Sequence, residues 1–191
     1  KDGFRIALLP RLPEHTYATT TSEYTITITG ALCWGDTGEY TRDKILKVLQ
    51  WGQMELEIVD FNNCHNLISI ASPTNKSFKN SGDFYISFEA CTSLTNIPAD
   101  LLKYCTNVED FSTIFRYCTS LTSIPSGLFD NCRNVGSFEC TFYGCMSITS
   151  IPEDLFKYCT NVASFVATFT GCTSLTGQAL TLWERMANGN T

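Results

Sequence analysis

The feature that most constrains this chain is a period. Cys64, Cys91, Cys118, Cys145 and Cys172 follow one another at a fixed 27-residue interval, and Cys105, Cys132 and Cys159 form a second row at the same interval. Phe61, Phe88, Phe115, Phe142 and Phe169 make a third row, and Leu67, Leu94, Leu121, Ile148 and Leu175 a fourth. Ile70, Ile97, Ile124 and Ile151 keep the register, as do Val108, Val135 and Val162, and Phe84, Phe111, Phe138 and Phe165. No insertion or deletion interrupts them. One such unit cannot bury its apolar side alone, so a fixed period of this kind means units that stack, each row becoming an inward ladder.

One copy, residues 118–144, reads C-T-S-L-T-S-I-P-S-G-L-F-D-N-C-R-N-V-G-S-F-E-C-T-F-Y-G. Its apolar spacing is neither strict alternation nor a long helical stripe. It predicts two short strands, around Leu121–Ile124 and Val135–Phe138, connected by tight helical turns over Leu128–Cys132 and Phe142–Cys145. Pro125 suits a strand end, where no ladder donor is needed. The expected fold class is a leucine-rich repeat solenoid, mainly β with short helical turns, built of 27-residue coils behind a small α+β N-terminal cap.

The cap is expected over residues 1–53. Glu23 to Leu32 alternates polar and apolar residues and predicts a strand, whereas Thr41 to Leu49 predicts a helix with Thr41 or Asp43 as N-cap and Gly52 just past its end. Such a cap covers the edge of the first coil. The solenoid is expected over residues 54–191 with an incomplete last coil. There Leu182-Trp183 falls on the Leu155-Phe156 rows, Met186 on the second cysteine row and Asn188 on the Asn161 row. Either a short capping helix or a chain continuing past Thr191 is expected.

Composition removes several function classes. Hydrophobic residues are 43% and charged residues 17%, which is a folding rather than a disordered composition. With a net charge of -6 and no Lys/Arg run longer than a dipeptide, no nucleic-acid footprint is expected. Apolar runs such as Ile6 to Pro10 are too short to span a bilayer. The first residues, Lys1 to Arg5, lack a signal-peptide hydrophobic region, as expected of a processed end or of a piece of a longer chain.

Of ten cysteines, all but Cys33 and Cys140 lie on the two rows. Parallel ladder positions give poor disulfide geometry, no C-x-x-C occurs, and ligands a full repeat apart do not build a tetrahedral metal site. The expectation is a structural ladder of buried thiols at tight turns, with no metal and no cofactor. The histidines are His15 and His65. Cys64-His65 is the one conceivable nucleophile pair, but sequence neighbours in a turn or strand point apart. Glu153 and Asp154 sit in a loop where a helix-start aspartate is the expected role. The D-T-G at Asp36-Thr37-Gly38 reads as a turn, and no phosphate-loop, nucleophile-elbow or zinc-helix motif occurs. No catalytic residue is therefore expected.

Two surface arrays remain. Thr95, Thr122, Thr149 and Thr176, alongside Ser93, Ser120, Ser147 and Ser174, form rows suited to the outer side of a stacked sheet, or to ice. Tyr104, Tyr117, Tyr143 and Tyr158 sit in turns next to the row cysteines. They form either a ligand-binding stripe, tyrosine being favoured at interaction surfaces, or covers for the turns beneath them.

The stretch F-Y-G-C-M-S-I-T-S-I-P (142–152), with Ile148 at the Leu position, follows the pattern F-x-x-C-x-x-L-x-x-I with Pro close behind, and F-T-G-C-T-S-L-T (169–176) follows its F-x-x-C-x-x-L part. In this the chain resembles the BspA-type leucine-rich repeats of bacterial surface proteins. The likeness covers about residues 54 to 188, with Val48 to Gly52 similar to the lead-in of such arrays. It departs from the commoner, shorter unit by an added L-F-x-x-C turn. The resemblance implies a secreted or cell-surface protein used for adhesion or protein interaction. The expectation is a non-enzymatic, monomeric binding module for an extracellular protein. The alternatives are a glycan-binding surface protein and a structural spacer in a larger one.

Overall fold

A computed structural model describes residues 4–8, 24–28, 42, 45–51, 58–73 and 85–176. The chain begins with β1 (Phe4–Leu8), β2 (Tyr24–Ile28) and β3 (Ile45–Gln50), followed by β4 (Ile58–Asp60), β5 (Ser69–Ile70) and β6 (Tyr85–Ser87). One sheet has the order β2-β1-β3-β5, and a second pairs β4 with β6. β1 runs antiparallel to β2 and β3, whereas β3–β5 and β4–β6 are parallel. β2 lies within the strand expected at Glu23 to Leu32.

The helix expected over Thr41 to Leu49 is not formed: Ile45–Gln50 is the strand β3. Ile45, Val48 and Trp51 are all buried, and their three-residue spacing imitates one face of a helix. The register of β1 against β3 shifts twice, between Arg5 and Ile6 and between Ala7 and Leu8. Such irregularities break the two-residue alternation of a strand. Pairing on both sides then overrides helix propensity, and the branched Ile45 and Val48 suit it. β3 also pairs with β5 of the first repeat, Lys47 opposite Ser69 and Val48 opposite Ile70, across the boundary expected near residue 53.

Beyond β6 the expected strands shrink. Leu121–Ile124 is not a strand: Leu121 N–H donates to Cys118 O in its own turn, Pro125 has no N–H, and only Thr122 reaches across, to Thr95 O at 3.3 Å. At Val135–Phe138, Ser137 bridges to Asp110 and Ser164, and Gly136 N–H donates to Glu109 O at 2.7 Å. The continuous ladder starts here and runs on to Gly144. The N–H groups of Phe138, Cys140, Phe142 and Gly144 donate to the carbonyls of Ser164, Val166, Thr168 and Thr170 at 2.8–2.9 Å, each acceptor lying one position short of a full repeat further on. Between them, Thr141 and Tyr143 donate within their own turns, to Phe138 O and Cys140 O. Alternate donors thus serve the neighbour and the local turn. This alternation accompanies positive φ at Asn63, Ala90, Tyr117, Gly144 and Gly171 and at Thr113, Cys140 and Ala167, two series that each keep the 27-residue spacing. The other expected turn, Leu128–Cys132, closes through bonds three residues back, Asp130 N to Gly127 O and Cys132 N to Phe129 O.

Rings repeat with the backbone. Phe61, Phe88, Phe115, Phe142 and Phe169 stack at successive centroid distances of 5.5, 5.7, 5.6 and 5.5 Å. Phe111, Phe138 and Phe165 continue a second stack at 6.2 and 5.7 Å. Offset stacking explains why these exceed the ~4.8 Å of paired strands. At the N-terminal end Trp51 meets Phe61 edge-on at 6.1 Å and donates from Nε1 to Ala71 O at 2.6 Å.

The expectations for His15, Cys33, Asp36-Thr37-Gly38 and Leu182 to Asn188 fall outside the described residues.

Candidate contact surface and the cysteine rows

The cysteine rows face inward. Cys64, Cys91, Cys118 and Cys145 are buried, as are Cys105, Cys132 and Cys159, and Cys172 is 8% exposed. No disulfide joins any of the nine described cysteines. Each Phe–Cys turn leaves a carbonyl with a second lone pair. Phe88 O accepts Cys91 N–H at 3.1 Å, and also the thiol of Cys118 from the next unit at 3.2 Å. The same fork recurs at Phe61, Phe115 and Phe142, whose oxygens take the thiols of Cys91, Cys145 and Cys172 at 3.2, 3.1 and 3.1 Å. In the second row the contacts lengthen, to 3.8 Å for Cys132 on Leu102 O and 3.7 Å for Cys159 on Phe129 O. Thr141 and Thr168 use a related device, each hydroxyl sharing its one proton between a carbonyl three residues back and one 30 residues back. A thiol is small, weakly polar and able to donate, which suits a buried turn better than a strongly hydrated group.

Burial pushes the Cys105, Cys118 and Cys159 thiols up to about 12 and Cys172 to about 11, with Cys91, Cys132 and Cys145 also raised. A thiol so held is neither nucleophile nor ligand near neutrality. Cys64 is buried while His65 is exposed, its Nδ1 2.9 Å from Ala90 O, so the two side chains lie on opposite sides of the backbone. Among the described residues no three His, Cys, Asp or Glu side chains converge on a common point, and no helix is long and apolar enough to cross a membrane.

The four tyrosines divide into two groups. Tyr117 and Tyr143 lie in adjacent units on the turn that leads to the first cysteine row, and their rings meet at 5.4 Å and 89°. The Arg116 guanidinium lies 4.8 Å from the Tyr117 ring centre and 5.5 Å from that of Tyr143. Glu89, one unit earlier, holds the same guanidinium at 3.3 Å. Arg116 Nε is shielded from solvent and finds no acceptor among the described residues. Tyr117 remains 38% exposed.

Tyr104 and Tyr158 belong to the other turn, before Cys105 and Cys159, with a whole unit between them. Lys103 lies over Tyr104, and both Arg133 and Lys157 lie over Tyr158. The ring contacts therefore bring together two of the four. Arg116, Arg133 and Glu89 are not singled out by the sequence pattern, although the dipeptide Arg116-Tyr117 is its own signal for a cation beside a ring.

The threonine row is outward, with Thr95, Thr122, Thr149 and Thr176 exposed. Several hydroxyls on this side turn to the preceding unit: Thr122 to Thr95 O, Thr119 to Thr92 O and Ser147 to Thr119 O, at 3.4, 3.4 and 2.7 Å. Hydroxyls spent between units point to a structural use for these rows.

No protein-family model matches the chain, and comparison with curated proteins finds no match.

Proposed function

We propose that the chain is a non-enzymatic binding module whose 27-residue units stack into a leucine-rich solenoid, and that it engages an extracellular or cell-surface protein through Arg116, Tyr117 and Tyr143. The observation that carries this reading is the cluster itself: two tyrosine rings and a guanidinium in mutual contact, partly open to solvent. Tyrosine and arginine on a rigid frame supply large contact area with little conformational entropy to lose. The backbone holds the frame, since Tyr117 N–H donates to Tyr143 O at 2.7 Å. The reading also draws on the F-x-x-C-x-x-L-x-x-I likeness to BspA-type repeats. Buried thiols fit an oxidising location, because they are withheld from exchange.

The test is binding of the folded chain to an array of extracellular proteins and glycans. A saturable protein hit supports the reading, a glycan hit replaces the partner class, and a blank favours a spacer.

A further inference from the structure

Two kinds of cation occur along the repeats. Arg42 and Arg116 each hold a carboxylate, Asp60 at 3.0 Å and Glu89 at 3.3 Å. Lys103, Arg133 and Lys157 do not: all three are exposed, and among the described residues no carboxylate lies within ion-pair distance of them. They come one from each of three successive units, all beside the second cysteine row at Cys105, Cys132 and Cys159. With 19 acidic residues against 13 basic ones, carboxylates are not scarce in this chain, so three unneutralised cations on one turn series call for a reason.

Tyrosine rings gather them. Lys103 Nζ lies 5.5 Å from the centre of the Tyr104 ring. Arg133 Cζ and Lys157 Nζ, from adjacent units, lie 5.1 and 5.2 Å from the centre of one and the same ring, Tyr158, which is 37% exposed. Each cation is attracted to the ring, but the two repel one another, and an oxyanion beside both would relieve that repulsion. Asp130 stands at the lysine position of the middle unit, yet its carboxylate turns back on its own turn, Oδ2 lying 3.2 Å from where a Gly127 Cβ would be. The frame beneath is tied from unit to unit: Asn134 Nδ2 donates to Thr106 O at 3.3 Å and Asn161 Nδ2 to Arg133 O at 3.2 Å.

We propose that Lys103, Arg133, Lys157 and the Tyr158 ring form a binding site for an anionic polysaccharide, whose sulfate or carboxylate groups pair with the cations while a sugar packs on the exposed part of the ring. A guanidinium fork matches an oxyanion, and cations set one to a unit suit a polymer that repeats its charge along its length. An aromatic ring among those cations suits a ligand that carries apolar C–H faces beside its anions, as a sugar does and a bare acidic side chain does not. The chain as a whole, at a net charge of -6, repels polyanions, so capture rests on this local stripe. The site is separate from the protein contact at Arg116, Tyr117 and Tyr143, and only a glycan whose affinity depends on those residues would replace that partner.

The probes are heparin, which carries sulfate and carboxylate groups, and hyaluronate, which carries carboxylate alone, each titrated into the full chain by calorimetry. Saturable binding to at least one is expected, weakening as salt rises, and binding of heparin alone makes sulfate the recognised group. An Arg133→Gln/Lys157→Gln double variant should keep the original unfolding midpoint, since both side chains are exposed, and should bind more weakly on the order of tenfold. Tyr158→Ser, which keeps every cation, should also weaken binding. Three results overturn the proposal. Neither polysaccharide binding means that the stripe takes no glycan. Undiminished binding by the double variant places any glycan elsewhere. Polyglutamate binding as tightly as the polysaccharides makes the surface a contact for acidic protein instead.

Discussion

The Tyr117 ring occupies the space that a side chain on Gly144 would need. A Cβ at Gly144 would lie 2.6 Å from Tyr117 Cδ1 and 2.9 Å from Cε1, and Gly144 also has φ +71°. Tyr117 itself has φ +59°, a conformation its side chain does not favour. The strain at Tyr117 and the missing side chain at Gly144 are two halves of one arrangement that lays an aromatic ring across the neighbouring unit.

Gly144→Ala should therefore destabilise the chain by about 2–3 kcal/mol, combining the unfavourable φ with displacement of the ring. Gly171→Ala, where φ is +80° but the nearest atom is Gly144 Cα at 3.3 Å, should cost about 1 kcal/mol. Adding Tyr117→Gly to Gly144→Ala should recover part of the loss, giving a coupling of about 1 kcal/mol in urea unfolding. Strict additivity would mean that ring and glycine are independent.

The thiol rows set the alkaline limit of the fold. Below the ordinary thiol value of 9.0 both folded and unfolded chains are protonated; above it the unfolded chain ionises while the folded one keeps its protons, Cys172 to about 11 and Cys105, Cys118 and Cys159 to about 12. The folded state then binds more protons, so stability falls as pH rises from about 9 to about 12, each such thiol contributing up to about 1.4 kcal/mol per pH unit. Unfolding midpoints across this range, compared with a Cys118→Ala variant of shallower slope, check it. Native thiol titration should find the row cysteines reduced but inaccessible; four or five disulfides by mass spectrometry would sink this reading.

Arg42 on Asn62 O and Trp51 against the Phe61 ring, at the N-terminal end of the repeats, should contribute measurable stability. Arg42→Met removes a charged donor from Asp60 and Asn62 O and should cost about 1–2 kcal/mol. Trp51→Leu, which opens the Phe61 end of the ring stack, should cost about 3 kcal/mol. Thermal unfolding of both variants tests this, and unchanged midpoints would show that the first repeat does not need the cover.

Placement of β3 has its own signature. Ile68 N–H donates to Leu46 O and Ala71 N–H to Val48 O, both at 2.9 Å. These two amides should exchange slowly, on the scale of the core. Fast exchange at both would favour a helix at 45–50 after all.

How much of this is legible in the residues follows from what a period can carry. The 27-residue spacing alone places Phe61, Phe88, Phe115, Phe142 and Phe169 in line and turns the row cysteines inward, because identical units stacked in register superpose identical side chains. It does not reveal which backbone donors bridge the units. That depends on positive φ at Thr113, Tyr117, Cys140 and Ala167, residues with no preference for it; only Asn63, Gly144 and Gly171 advertise the conformation. Bonds between units are consequently expected at both Leu121–Ile124 and Val135–Phe138, and the continuous run is found from Gly136 to Gly144, overlapping only the second. At Ile45, Val48 and Trp51, a three-residue burial spacing reads as helix because register shifts in the paired strand are invisible in sequence. Tyr117 and Tyr143 stand one position short of a full repeat apart, the ladder's own spacing, which separates them from Tyr104 and Tyr158 once that ladder is known.

The measurement that bears most directly on the central claim compares the chain with an Arg116→Gln/Tyr143→Ser double variant, both shown to be folded, for binding to the ligand found on the array. A contact through Arg116, Tyr117 and Tyr143 predicts a saturable protein ligand and a loss of affinity on the order of tenfold or more in the variant, as for a desolvated aromatic and arginine anchor. A folded chain that binds nothing, or a variant that binds as tightly as the original, would contradict it.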